Sequence, residues 1–347
     1  MSSTASNFVS TSANRVTLRK TLVSCAMLAI ALLLAIVLVS LVGSERLPAR
    51  ASLCAIASFG TSACGLSGDQ FDILFQIRLP RILLAAAVGG SLATAGAGYQ
   101  ALLRNPLAEP YLLGISNGAA VGTMVALIFF GSNEWMRPLV AFSGALVATF
   151  AVYRLARGRA GATPERLILA GVIVTTFLSS VIVFVTTLMD ATRIRSFTFW
   201  LLGDLSGTSK SLLPVTIMVT VAGALALTLH ARSLNLLMLG ERDAFDLGVE
   251  VGRVRVVVFL VASLLVGSSV AASGSVGYVG LVVPHLARLS LGSDNRISIP
   301  AAALGGGLFV IVADTVARTI IAPRELPVGA ITALIGAPLF IYLLKRA

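Results

Sequence analysis

Apolar runs of about 20 residues alternate with short polar, basic or proline-containing stretches from residue 21 almost to the end of the chain. A helix rising ~1.5 Å per residue needs about 20 apolar residues to cross ~30 Å of hydrocarbon. Ten such runs can be laid along the sequence, near 21–42, 81–103, 111–130, 138–156, 167–188, 211–230, 256–273, 276–290, 300–320 and 328–344, the eighth being short. Lipid offers no water to backbone N–H and C=O groups, so the spans must satisfy them internally as helices. The pattern predicts an all-α, polytopic membrane protein with about ten transmembrane helices.

The polar stretches differ in kind. Met1 to Asn14 is rich in Ser and Thr without periodicity, which predicts a disordered cytoplasmic tail over about residues 1–20 ahead of a transmembrane domain over 21–347. The first apolar run is too long for a secretory signal core and is expected to remain as an uncleaved span. Gly43 to Gln76 is mixed in polarity, as an external loop would be. Within Asp190 to Lys210, the run RSFTFWLLGDLSGTSK is too interrupted by charge and glycine to cross alone; Phe197, Phe199 and Trp200 suit a short helix in the interfacial belt. Arg232 to Arg255 is a long polar insertion between two spans.

The second span has the most distinctive chemistry. Arg78 and Arg81 flank Leu79-Pro80, and Pro80 is tolerated because the first turn of a helix has no intrahelical use for that N–H. Gly89, Gly90, Ser91, Ala93, Ala95, Gly96, Ala97 and Gly98 leave almost no side-chain bulk, the means by which helix backbones approach closely in lipid. This helix belongs inside a bundle. Arg104 to Pro110 then breaks the chain with two prolines, and Gly114, Gly118 and Gly122 recur at four-residue spacing in the next run.

Composition and charge narrow the class. Hydrophobic residues make up 57% of 347 and charged residues 12%, with a mean hydropathy of +0.95, too little polar surface for a soluble globule. The net charge of +11 is not gathered into a stripe interleaved with aromatics, so it does not point to nucleic acid. With a cytoplasmic N-terminus and ten spans, 16 Lys and Arg fall inside and 10 outside, against 7 and 8 acidic residues, which the positive-inside rule favours. The C-terminus is then cytoplasmic as well. Cys25 lies in the first span, where a small buried thiol is the simple reading. Cys54 and Cys64 share the first external loop; an oxidising compartment would permit a disulfide, but their spacing does not establish one. No grouping resembles a metal site.

An internal repeat accompanies the spans. A shift of 178 residues carries Val88, Gly89, Ser91, Ala93, Gly96, Leu103, Pro106, Leu113, Gly114 and Asn117 onto Val266, Gly267, Ser269, Ala271, Gly274, Leu281, Pro284, Leu291, Gly292 and Asn295, all identities. Spans two to five then match seven to ten, and an offset of five spans reverses direction, so the halves are expected to be inverted repeats.

The motifs RLPR and QALLRNPLAEPYLLGISNGAAVG, followed in order by LNLLMLGERDAFDLGV, GYVGLVVPHLAR, ADTVAR and ELPVGAITALIGAPLFIYLLK, resemble the FecCD-type permease subunits of ATP-driven importers for iron-siderophores, haem and cobalamin. The resemblance covers most of the chain. It implies a permease of the bacterial inner membrane, working with a second permease subunit, most simply as a homodimer in contact with membrane lipid. Two cytoplasmic ATPase subunits would carry ATP and Mg, with no cofactor on this chain, and a periplasmic binding protein would deliver the substrate. It further implies that Arg78, Arg81 and Arg318 dock that binding protein, and that Asn105 and Leu107 form a cytoplasmic gate. Segment 232–255 would seat in the ATPase through Leu239, Gly240, Glu241, Asp243, Phe245, Asp246, Leu247 and Gly248. The residues themselves are compatible with this last role, because a short charged helix pair broken at Gly240 and Gly248 with a few apolar anchors suits a partner's groove. A local pairing competes for Arg318, since Asp314 stands four residues before it.

Catalytic signatures fail. His230 and His285 are isolated, and the chain has no HExxH, GxSxG or phosphate-binding GxxxxGK[ST]. ATP hydrolysis is therefore expected on a separate subunit. An ion-gradient-driven secondary transporter, which also uses inverted repeats and broken helices, is the rival; it would need a buried ionisable relay, and Asp190, Asp204 and Asp314 all map near the outer edge.

Overall fold

The computed structural model describes residues 18–43, 45–131, 133, 135–158, 161–206, 212–322 and 324–346. Of the tail expected over residues 1–20, the part up to residue 17 lies outside the described residues, as do Arg159 and Lys210, and Leu18 to Lys20 are not disordered but form the first turn of a helix. Ten apolar helices occur among those described: α1 (Leu18–Ser40), α4 (Leu79–Leu102), α5 (Ile115–Phe129), α6 (Met136–Ala156), α7 (Pro164–Thr186), α9 (Leu212–Leu229), α12 (Val251–Ser273), α13 (Val279–Leu291), α14 (Asn295–Thr319) and α15 (Val328–Arg346). Seven are long and apolar enough to cross a membrane, and α5, α13 and α15 are shorter. Five further short helices complete the order, α2 (Ala49–Ala57), α3 (Gly68–Asp72), α8 (Ala191–Leu201), α10 (Ala231–Leu239) and α11 (Glu241–Asp246). Among the described residues the one strand pairing is antiparallel, Arg157–Gly158 against Gly161–Ala162.

Helix α4 is the hub, wrapped by α14, α12, α13 and α9. Its small residues are the reason: a Cβ on Gly89 would come within 2.1 Å of the Gly306 carbonyl oxygen, and one on Gly96 within 1.9 Å of that of Gly280. Any side chain there would force the helices apart. Between these contacts run buried polar links, Ser91 Oγ to Thr220 Oγ1 at 2.7 Å and Tyr99 Oη to Ser263 Oγ at 2.6 Å, which hold α4 to α9 and α12. Near its end α4 meets the first half of α12, where the Tyr99 ring lies against that of Phe259. Gly114 and Gly292, matched by the 178-residue shift, both take positive φ, but they precede α5, the third apolar helix, and α14, the ninth, so beyond α4 the ungapped shift does not pair span three with span eight.

Three sequence expectations need correction. The stretch from Gly43 to Gln76 is largely helical: α2 is tied to the following turn by a Cys54–Cys64 disulfide, and Ser67 caps α3 through a reciprocal bond pair with Gln70. Six residues of π-helix, Ile73–Arg78, then join α3 to α4 without a break, so the second span enters from a longer helix than its apolar run predicts. The expected third span, 111–130, begins as a 3₁₀ turn (Pro110–Leu113) and becomes α-helix only after Gly114.

Candidate functional site

Two charged clusters mark opposite ends of the bundle. At one end, Asp314 on α14 is almost fully buried and accepts a forked pair of bonds from Arg81, from Nε at 3.0 and 3.1 Å and from Nη2 at 2.8 Å. The planar guanidinium matches a carboxylate in this way, which makes the pair directional as well as ionic. Arg81 Nη1 also donates to Glu325 at 2.8 Å. The anticipated local partner of Asp314, Arg318, reaches it only at 3.8 Å.

Arg78 and Arg318 serve α1. Arg78 donates to the carbonyls of Ser40 (3.1 Å) and Glu45, and Arg318 to that of Val39 (3.1 Å). The last carbonyls of a helix have no intrahelical donors, and cationic side chains satisfy them while complementing the helix dipole. Of the three arginines expected to dock a binding protein, Arg78 and Arg318 are buried within this chain, and Arg81 keeps 12% of its side chain exposed. Its accessible edge borders a cleft of ≈ 100 Å³ with Asp204, Ser206, Phe199, Glu325 and Pro327.

At the other end the structure brings the expected gate and coupling segment together. Arg104 takes left-handed backbone (φ 49°) at the end of α4, which turns Asn105 so that its Oδ1 accepts the Leu107 N–H at 2.9 Å. This Asx turn leaves Leu107 half exposed. Close by, α10 and α11 meet at Gly240, whose φ of 149° and ψ of 153° suit glycine, and α11 ends at Gly248 with φ 84°. Leu234, Leu237 and Ala244 are buried against the bundle, while Leu239, Phe245 and Leu247 are 68%, 70% and 61% exposed beside Asp243 and Asp246. An apolar trio ringed by carboxylates is left facing away from the chain.

Two contacts fix this helix pair. Asn235 on α10 donates to Asp294 at 2.7 Å and accepts from the backbone and side-chain nitrogens of Asn295, each at 2.9 Å. Burial alone would raise the Asp294 carboxyl; bonds from Arg296 and Asn235 outweigh it and bring it down to about 2. Glu241, the first residue of α11, pairs with buried Arg255 on α12 and stands 3.9 Å from Arg104. Sequence reasoning included Glu241 but missed both arginines, and it missed Asn235, Asp294 and Glu325. It also missed Glu109, whose Oε1 accepts the Tyr278 N–H at 3.1 Å, and Tyr111, which bonds both backbone groups of Val276. These two hold the extended stretch between α12 and α13, where Gly274 and Tyr278 have positive φ.

The model of the FecCD transport family matches residues 18–346. The chain belongs to the FecCD transport family. It is 43% identical over 273 residues to the cobalamin import system permease protein BtuC of Halobacterium salinarum, covering 79% of this chain and 73% of that one. It is 40% identical over 287 residues to the hemin transport system permease protein HmuU of Yersinia pestis, covering 80% and 84%. Among solved structures, one assigned as a metal-chelate type ABC transporter in an inward-facing conformation superimposes with a TM-score of 0.82 at 30% identity, over 93% of this chain and 99% of that one. The chain is accordingly an ABC importer permease, a multi-pass membrane subunit whose ATPase activity lies on a separate protein. Membership in this FecCD family implies ATPase and substrate-binding-protein partners.

Proposed function

We propose that this permease imports a metal chelate: haem or cobalamin, which its relatives' names describe, or a ferric siderophore. The proposed cycle is ATP-driven alternating access across the bacterial inner membrane. A second copy of the chain completes the pathway along the dimer axis, and two ATPase subunits hold ATP and Mg on the cytoplasmic side. Both termini are cytoplasmic in this reading, and α10–α11 is the coupling segment through Leu239, Gly240, Glu241, Asp243, Phe245, Asp246, Leu247 and Gly248. Asn105 and Leu107 form the gate. A periplasmic binding protein docks at the opposite end over the cleft beside Arg81 and Glu325, with Arg78 and Arg318 supporting that rim from beneath.

The observation that carries the reading is the exposed trio Leu239, Phe245 and Leu247 on a helix pair whose other face is anchored in the bundle beside the Asn105 turn. A fixed back and an apolar, acid-rimmed front fit a partner's groove. Phe245→Glu combined with Leu247→Glu tests it. The doubly substituted chain is expected to purify as well as the parent but to lose the cognate ATPase subunit on affinity purification, whereas retained ATPase would refute the assignment.

A further inference from the structure

The Arg104–Glu241–Arg255 cluster ties the turn after α4 to the start of α11 and the start of α12, two consecutive helices more than 130 positions further along the chain. Its two halves differ. Arg255 is buried and in direct contact with Glu241, whereas Arg104 is over a third exposed and 3.9 Å away, too far for a hydrogen bond but within range of charge. Arg104 is also the residue before Asn105, and its left-handed backbone sets the turn in which the Asn105 side chain holds the Leu107 N–H. The other end of the helix pair is pinned by hydrogen bonds of 2.7–2.9 Å between Asn235, Asp294 and Asn295. The helix pair is thus pinned at α10 and held by charge at α11, with Gly240 at positive φ between the two helices.

We infer that Glu241 is a positioning residue that transmits movement of α11 to the Asn105–Leu107 turn through Arg104, with Arg255 as its fixed counter-charge. This rests on the permease reading above and deepens it. Displacement of α11 by the ATPase carries the Glu241 carboxylate along; the field at Arg104 changes, and the turn that Arg104 holds is released or drawn in. The contact acts by charge at 3.9 Å rather than by a forked bond, so lysine should replace Arg104 and glutamine should not.

The test uses the full complex of permease and cognate ATPase in nanodiscs. The reference chain carries Leu107→Cys and Cys25→Ser, leaving Cys54 and Cys64 in their disulfide. The rate of maleimide labelling at position 107 is measured without nucleotide and with ATP trapped by vanadate. The reference rate is expected to change by about fivefold, the low end of ordinary allosteric coupling. Glu241→Gln and Arg104→Gln should each bring that change below about twofold, while Arg104→Lys keeps it. Glu165→Gln should also keep it, although this residue is within electrostatic reach of both arginines. A reference chain with no nucleotide response would overturn the gate reading itself. A responsive reference with an equally responsive Glu241→Gln would overturn only the transmission role, as would loss of ATPase binding in Glu241→Gln, which would make Glu241 a docking residue.

Discussion

The Arg81–Asp314 cluster and the Arg104–Glu241–Arg255 cluster use the same residue types to opposite ends. At the first, the carboxylate is 1% exposed and gripped by a fork of bonds; at the second it is 38% exposed, bound on one side and only near its partner on the other. A buried, fully bonded ion pair loses several kcal/mol when one partner is removed, because the remaining charge has no solvent. A half-exposed one is screened and rearranges at little cost. The first geometry fixes α4 to α14, and the second leaves α11 able to move.

The largest expected effect separates the two clusters directly. Asp314→Asn should destabilise the chain by about 3–5 kcal/mol, since it strands the Arg81 and Arg318 guanidinium groups in a buried site. Thermal unfolding in detergent measures it, and a change below about 1 kcal/mol would erase the distinction drawn here. Next in size is the α10 anchor. The Asp294 carboxyl is held down to about 2, against an ordinary value near 3.9. Its stabilising contribution is thus full above pH ~4 and lost as the pH falls from there through about 2, on the order of 1 kcal/mol after allowance for solvent. Asp294→Ala should flatten the stability profile over that window. Glu241→Gln should cost about 1 kcal/mol or less in stability, because the Glu241 carboxylate is itself 38% exposed and screened by solvent and the glutamine oxygen can still accept from Arg255; a loss as large as that of Asp314→Asn would show that both clusters are rigid. Smallest is Phe245→Glu, expected within about 0.5 kcal/mol of the parent because its ring is exposed. A large loss there would mean that the ring packs on the chain rather than on a partner.

The distribution of these contacts explains what the sequence reveals and what it hides. Apolar runs locate all ten apolar helices among the described residues because burial in lipid is imposed residue by residue. Glycine locates the breaks at Gly240 and Gly248 because left-handed and extended positive-φ backbone is a local demand. The small residues of α4 announced a central helix, although not that Gly89 would face Gly306. Ion-pair partners are another matter. The i,i+4 spacing pointed Asp314 to Arg318, yet a guanidinium 233 positions away offered the better fork. The caps that Arg78 and Arg318 place on α1 span 38 and 279 positions, so no local pattern encodes them. The helices within 43–76 were hidden because their residues answer to a small satellite core around Leu47, Ala55, Leu66 and Leu74 rather than to lipid.

This permease is expected to draw its energy from ATP on a partner rather than from an ion gradient. Uptake into proteoliposomes containing the chain and its cognate ATPase tests it most directly, with the binding protein added and ferric siderophore, haem and cobalamin compared side by side. The account predicts uptake of one of the three that requires both ATP and the binding protein and is indifferent to an imposed proton or sodium gradient. Uptake that follows such a gradient, with ATP and binding protein irrelevant, would contradict it.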